Sequence, residues 1–382
     1  MNFDLTNEQK DIQKAAREFA EKEFSSIAQE CDEKEIFPRE VWKKACALGL
    51  LGVQIKEEYG GGGLGLLEHA IITEEFWRVD PGCGQSLVST IMGSDVIQLI
   101  GTEEQKQRYL PPVMRGEKIM GVAVTEPDAG SDVAAARTEA VKASNEYVIN
   151  GSKVMIGNGS IADFLLVFCL TNPKEESKYN RHSMFIVETG QKGYEADKMT
   201  GKMGLRASDT ANIFFHDVRV PRENLLGIEG KGFLHVMQFF DLSRSWVGAH
   251  GVGLAQGVFE KTVKHVKERR QFGRPIGSFQ GVQFEIAEMA LMIETGRNLV
   301  HKACWTADHK GPDSKLTSLA KWYGGWVGVR VVDKALQLHG GYGYFAEQEI
   351  ERFYRAAKAV EIYEGSKEVE KMIVARQVLG RI

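Results

Sequence analysis

A chain of 382 residues, 43% hydrophobic and 26% charged, is long enough for two or three domains with sizeable cores. Its formal net charge of -4 excludes bulk attraction to nucleic acid or an anionic membrane and leaves room only for a local basic patch against a phosphorylated ligand. The five cysteines are scattered and form no CxxC pair, which excludes a disulfide framework or a zinc site and fits a reducing cytoplasm.

The N-terminus opens directly into a helical pattern, with no signal peptide, basic transit segment or transmembrane run expected. Thr6-x-x-Gln9 reads as a capping box, and Ile12, Ala16, Phe19 and Ala20 follow on one face. A second helix is expected over 39–48, ended by Gly49. Gly60-Gly61-Gly62-Gly63-Leu64-Gly65 lacks the GKS/T ending and preceding strand of a phosphate loop, so it is expected to be a flexible surface loop. Further helices are expected over 67–78, 85–100 and 102–114, the last opened by a Thr102-x-x-Gln105 box. The first third is thus all-helical.

Near residue 119 the period changes. Tyr147 to Ile156 reads as two extended runs joined by an Asn150-Gly151 hairpin turn. Strands are also expected over 164–170, 184–188 and 213–220, the last ended by Pro221. From Gly232 the helical period returns, over 232–270, 278–308, 314–339 and 347–356. A final amphipathic helix carries Val369, Met372, Ile373, Arg376 and Leu379. Helix, then β, then helix, without βαβ alternation, argues against a dinucleotide-binding fold. Gly251, Gly253 and Gly257 have the wrong spacing for a phosphate-binding fingerprint and no strand before them; close helix packing explains them better. Glu364 stands ahead of the last helix, beside Gly365 and a potential cap, Ser366. A helix dipole by itself favours an acid there.

Several motifs stand in a fixed order. They are Val124-Thr125-Glu126-Pro127-Asp128-Ala129-Gly130-Ser131-Asp132, Lys202-Met203-Gly204-Leu205-Arg206-Ala207-Ser208, and Val218-Arg219-Val220-Pro221. They continue with Arg269-Arg270-Gln271-Phe272-Gly273-Arg274-Pro275-Ile276, Ser278-Phe279-Gln280, the Gln337 to Tyr344 stretch, and Tyr363-Glu364-Gly365. With these motifs, nearly the whole chain closely resembles the acyl-CoA dehydrogenase family. The resemblance implies an α+β fold of three domains. These are an N-terminal all-α domain (1–118), a middle β-barrel-like or sandwich domain (119–228) and a C-terminal four-helix-bundle domain (229–382).

It also implies FAD as cofactor, an acyl-CoA substrate, an electron-transfer flavoprotein as acceptor, and a homotetramer built as a dimer of dimers. No metal is implied. Thr125 and Ser131 would meet the flavin edge and the thioester. Arg269, Phe272, Gln280, Gln337, Gly340 and Gly341 would serve the FAD of a neighbouring subunit. Arg suits bidentate pyrophosphate recognition, and ordinary turn or helix-end chemistry is the alternative at each of these positions. Met155, Gly157 and Ser366 complete the cofactor set. Phe240, Asp241, Arg244, Tyr363 and Gly365 would line the CoA chain and thioester, although an Asp241–Arg244 ion pair explains those two equally well. Ser183 is a lesser candidate for CoA contact. Asp95, in an otherwise apolar helical run, is a candidate for shaping acyl choice, with a solvent-facing or paired Asp as the alternative.

α,β-Dehydrogenation needs a base for the Cα proton, typically worth ~10²–10⁴ in rate. Some relatives carry it on the earlier long helix. Here that position is Ser243, which leaves Glu364. Two departures from the family pattern concern the flavin: a tryptophan and a threonine are replaced by Met155 and Gly157. After the base, Ser366-Lys367-Glu368 replaces the usual sequence, and Arg355-Ala356-Ala357-Lys358 lacks the common Asp. Competing readings are an oxidase, a dehydrogenase of carrier-tethered acyl groups, and a non-catalytic helical scaffold. No arginine lies in 85–100, which weakens a dicarboxylate substrate.

Overall fold

The computed structural model describes residues 4–380. Helices α1 (Asn7–Phe24), α2 (Ala28–Lys34), α3 (Arg39–Ala47), α4 (Leu66–Val79), α5 (Pro81–Val88), α6 (Ser94–Ile100) and α7 (Glu103–Met114) form the first part. Both capping boxes are in place: the Thr6 and Thr102 hydroxyls accept from Gln9 N and Gln105 N, and each Gln side chain reaches back. The helix expected over 85–100 is instead two, α5 and α6, separated by a 3₁₀ turn and by Gly93 in the left-handed region. α2 has no counterpart in the periodicity. The glycine-rich loop lies on the surface but is tied down: Gly62, Gly63 and Leu64 donate backbone hydrogen bonds to Gly52, Ile55 and Val53.

The middle part is a curved sheet of β1 (Met120–Ala123), β2 (Glu139–Ala143), β3 (Glu146–Gly157), β4 (Phe164–Leu170), β5 (His182–Glu188), β6 (Tyr194–Lys198), β7 (Thr210–Pro221) and β8 (Leu225–Leu226). The order is β6-β7-β3-β2-β4-β5-β8, with β1 parallel to β4. β2 and β4 meet only at Glu139–Leu170, so two halves curl against each other.

The Asn150-Gly151 hairpin turn is a correction. β3 runs straight through it, and the chain reverses at Ser144-Asn145, where Ala143 pairs with Glu146. Asn-Gly forms a bulge, because the β3–β7 register shifts between Ile149 and Gly151. The Asn150 amide exchanges two 2.9 Å hydrogen bonds with Asp217. Gly151 has φ 142°, and a Cβ there would stand 2.8 Å from Thr138 Cα. The turn residues were there, but the partner strand, not the local sequence, decided their use.

The last part holds α8 (Gly232–Glu268), the small ribbon β9 (Arg270–Gln271) and β10 (Arg274–Pro275), α9 (Gln280–Lys310), α10 (Ser314–His339), α11 (Ile350–Val360) and α12 (Lys367–Leu379). α11 begins and ends later than the expected 347–356, after a left-handed Glu349. Two cores result. One joins the N-terminal helices to the sheet; the other is built on α8, α9, α10 and α11. α4 contributes to both, with Ile72 and Phe76 in the first and Leu67, Ala70, Ile71 and Trp77 in the second.

α8 makes its packing from absence of side chain. A Cβ at Gly251 would lie 2.0 Å from Gly324 O of α10; at Gly253, 2.3 Å from Glu74 O of α4; at Gly257, 1.9 Å from Arg78 O. The three glycines are a backbone-to-backbone seam, as the sequence reading held. Among the described residues no helix is long and apolar enough to cross a membrane.

Candidate active site

Glu364 sits in the connection between α11 and α12, with φ 57°, the left-handed region that a Glu seldom occupies. Four contacts hold it there. Ser243 Oγ of α8 donates to Glu364 Oε2 at 2.6 Å. Arg244 Nε donates to the Glu364 carbonyl at 2.8 Å. Lys321 Nζ of α10 donates to the Gly365 carbonyl. The Ser366 hydroxyl caps α12 by accepting from Val369 N at 3.4 Å. Gly365 is required: φ is 103°, and a Cβ would fall 2.1 Å from Glu370 Oε1.

Burial raises the Glu364 pKa above the usual carboxylate range, opposed by the Ser243 hydrogen bond and the charges of Arg244 and Lys321. Lys321, itself buried, is lowered to about 8. Arg244 also lies 3.0 Å from buried Glu370, but its single Nε–H points at the Glu364 carbonyl, so that pair is close without being hydrogen-bonded. The Asp241–Arg244 ion pair is not formed. Asp241 accepts from Ser314 Oγ at 2.8 Å, and Arg244 lies over the Phe240 ring at 4.8 Å. Arg244 is therefore spent on the Glu364 loop. The Tyr363 hydroxyl meets His250 Nδ1 at 2.6 Å. Sequence reasoning missed Ser243 as a donor, Lys321, Glu370 and His250; they lie inside helical stretches, and no motif marks them.

Asp95 stands in the first turn of α6, half-buried, where burial pushes its pKa up to about 6 against a hydrogen bond from Gln54. Ser183 is fully buried and spends its hydroxyl on Thr171 and Gly230 N.

A second group gathers at the sheet. Thr125 O accepts from Val154 N, placing Thr125 beside Met155 and Gly157 of β3. Behind them, fully buried Lys153 donates to Val124 O at 3.0 Å and Glu126 Oε1 at 2.8 Å. Glu126 in turn accepts from Arg137 N and Thr138 N. This buried pair fixes the Val124 to Glu126 segment on β3. Met155 is 60% exposed at φ 57°, and space is open around Gly157. Ser131 lies exposed beyond the turn.

A third group rims a cavity of about 750 Å³ lined by Arg269, Gln271, Leu338, His339, Gly340 and Gly341. Arg269 lies over Tyr342 at 5.4 Å, and exposed Gln337 lies in the last turn of α10. Phe272 tips the β9–β10 ribbon, 92% exposed at φ 52°, and Gln280 opens α9. An exposed guanidinium beside bare glycine backbone suits a large anionic ligand such as a dinucleotide. The third group and the sheet group lie on different parts of one chain.

Family models match in chain order: acyl-CoA dehydrogenase N-terminal domain at 6–117, middle domain at 121–218 and C-terminal domain at 230–379. The chain is 43% identical to an acryloyl-CoA reductase (NADH) of Anaerotignum propionicum, covering 100% of this chain and 97% of the relative. It is 42% identical to a short-chain specific acyl-CoA dehydrogenase of Clostridium acetobutylicum, over 99% and 100%. A chain of a solved structure concerning the electron transferring flavoprotein of Acidaminococcus fermentans matches with TM-score 0.97 at 40% identity, over 100% of both chains. With three matching domains in order and such identity over its full length, the chain belongs to the acyl-CoA dehydrogenase family.

Proposed function

We propose that this chain catalyses the FAD-dependent α,β-dehydrogenation of an acyl-CoA thioester to the 2-enoyl-CoA, with Glu364 as base. The observation that carries the assignment is the Glu364 carboxyl, half-buried, raised in pKa and held by Ser243 at 2.6 Å in a strained backbone. As a carboxylate, Glu364 takes the Cα proton. Burial makes it a stronger base than a glutamate in water. Ser243 holds Oε2, which leaves Oε1 for the proton. Arg244 and Lys321 act as positioning residues on the loop backbone.

Bound FAD supplies the acceptor for the hydride that leaves Cβ. Thr125, Ser131, Met155 and Gly157 would hold its ring system, and Ser366 keeps a hydroxyl proton free to donate toward it. Arg269, Phe272, Gln280, Gln337, Gly340 and Gly341 would hold the FAD of a neighbouring subunit, in a homotetramer arranged as a dimer of dimers. Ser131, Phe240, Asp241, Tyr363 and Gly365 would line the thioester and CoA, with Asp95 toward the acyl end. Electrons pass to an electron-transfer flavoprotein. Five buried, unpaired cysteines support a cytoplasmic enzyme. The division into 1–118, 119–228 and 229–382 follows the changes of element type.

Anaerobic titration with a panel of acyl-CoA thioesters, read by bleaching of the flavin, tests the reading. Glu364→Gln should bind FAD and acyl-CoA but lose at least ~10²-fold in flavin reduction; near wild-type reduction overturns the base.

Reduction of an enoyl-CoA, the same chemistry run backwards, is a second reading that Met155 and Gly157 favour. A thioether and a bare backbone offer fewer donors to stabilise reduced flavin, so its potential is lower and it is the better reductant.

A further inference from the structure

Two stripes face each other behind the Glu364 loop. On α4, His69, Thr73 and Trp77 recur every fourth residue; on α8, Trp246 and His250 do the same. Their rings touch: His69 to Trp246 at 4.5 Å, Trp77 stacked on His250 at 4.3 Å and 9°, Trp246 edge-on to His250 at 5.5 Å. All five side chains are buried. Their polar atoms are nonetheless unpartnered: both His69 nitrogens, Thr73 Oγ1, Trp77 Nε1, Trp246 Nε1 and His250 Nε2.

Native interiors rarely leave one such group unsatisfied, and a cluster of them in one place points to an unseen partner. Burial holds both histidines neutral, His69 at about 3. The Tyr363 phenol, raised by burial, keeps its proton and donates it to His250 Nδ1. His250 Nε2 is then an N–H donor facing the stripe. The group as a whole carries both donors and acceptors without net charge, which fits water and no ion. Each buried water makes about three hydrogen bonds, so six groups call for about two waters.

We propose that ordered water bridges the unpartnered groups of His69, Thr73, Trp77, Trp246 and His250, and that His250, held by that water and by the Trp77 stack, positions Tyr363 and so the strained Glu364 beside it. This rests on the assignment of Glu364 as base. His250 is fully buried and acts through Tyr363, whose hydroxyl it meets at 2.6 Å.

The test is anaerobic rapid mixing of the purified flavoprotein with butyryl-, isobutyryl- or hexanoyl-CoA, whichever bleaches wild type fastest. His250→Phe keeps the stacked ring but removes the acceptor. It should bind the thioester as before and reduce flavin about 10-fold more slowly. His250→Asn restores an acceptor near Nδ1 and should stay within about threefold of wild type. Where His250→Phe loses flavin, Tyr363→Phe breaks the same bond by one oxygen and should show the same slowing. An unchanged rate in either Phe variant overturns the positioning role. Glu364→Gln runs alongside: if it loses reduction while His250→Phe does not, only this proposal falls, whereas normal reduction by Glu364→Gln overturns the base itself. A crystal structure should show ordered water bonded to His69, Thr73 and His250, and the absence of such water overturns the hydration.

Discussion

The Ser243 hydroxyl donates at 2.6 Å to Glu364, the base proposed above. That hydrogen bond favours the charged form of Glu364 and lowers its pKa. A general base works only when deprotonated, so activity falls as pH drops through that pKa. Ser243→Ala should raise it further and move the acid limb of the kcat/KM profile to higher pH, with the alkaline plateau little changed; a limb that stays put or moves down refutes the role.

Asp95, at about 6, changes charge near neutrality. Below that value it is neutral and more hospitable to an apolar acyl chain. If it faces the acyl group, acyl-CoA affinity rises as pH falls through about 6, and Asp95→Asn removes that dependence. An acyl-CoA preference left flat across a panel by Asp95→Asn removes Asp95 from the pocket. At the flavin, Met155→Trp with Gly157→Thr should raise the potential by a few tens of millivolts, since ~30 mV in a two-electron couple is about 1.4 kcal/mol, the scale of one hydrogen bond. Redox titration reads it. Open space at Gly157 admits the threonine, while the left-handed Met155 backbone strains Met and Trp alike.

Among the elements, long ones were legible and short ones were not. α8, α9 and α10 announce themselves by sustained period, and β4 by an unbroken apolar run. α2, β1 and β6 are too brief to carry a period, and the break at Gly93 interrupts a run that stays apolar across it. Asn150-Gly151 shows the limit most plainly: the same two residues suit a tight turn and a bulge, and only pairing with β7 decides. Asn150→Ala should therefore cost about 0.5–1.5 kcal/mol in denaturant unfolding through loss of the Asp217 exchange, and leave the flavin spectrum unchanged. Glu364 was legible because its motif is compact. Lys321, Glu370 and His250 come from distant turns of three helices, and no spacing in the chain joins them.

For the whole molecule, the shared α4 means that the first and last parts do not stand alone. A fragment of 229–382 would expose the α8 seam and the face against α4, so we expect it to lack a cooperative unfolding transition, measurable by calorimetry. If Arg269 reaches the FAD of a neighbouring subunit in a tetramer, Arg269→Ala should weaken FAD retention and oligomer stability together, because a ligand across an interface stabilises both; flavin content and light scattering after dilution check this, and a fully flavinated, unchanged oligomer counts against it. Gly257→Ala forces a methyl against Arg78 O and should cost about 1–3 kcal/mol as overpacking, read as a lower unfolding midpoint.

That seam also governs what the gene can explore. Every missense change to a glycine codon, including each single-base one, adds at least a Cβ. At Gly251, Gly253 and Gly257 that atom meets backbone oxygen, which no rotamer can move aside. The same helix carries Ser243, Arg244, Trp246 and His250. A side chain added at any of the three would push α8 off α4 or α10, and would carry with it the residues that hold Glu364.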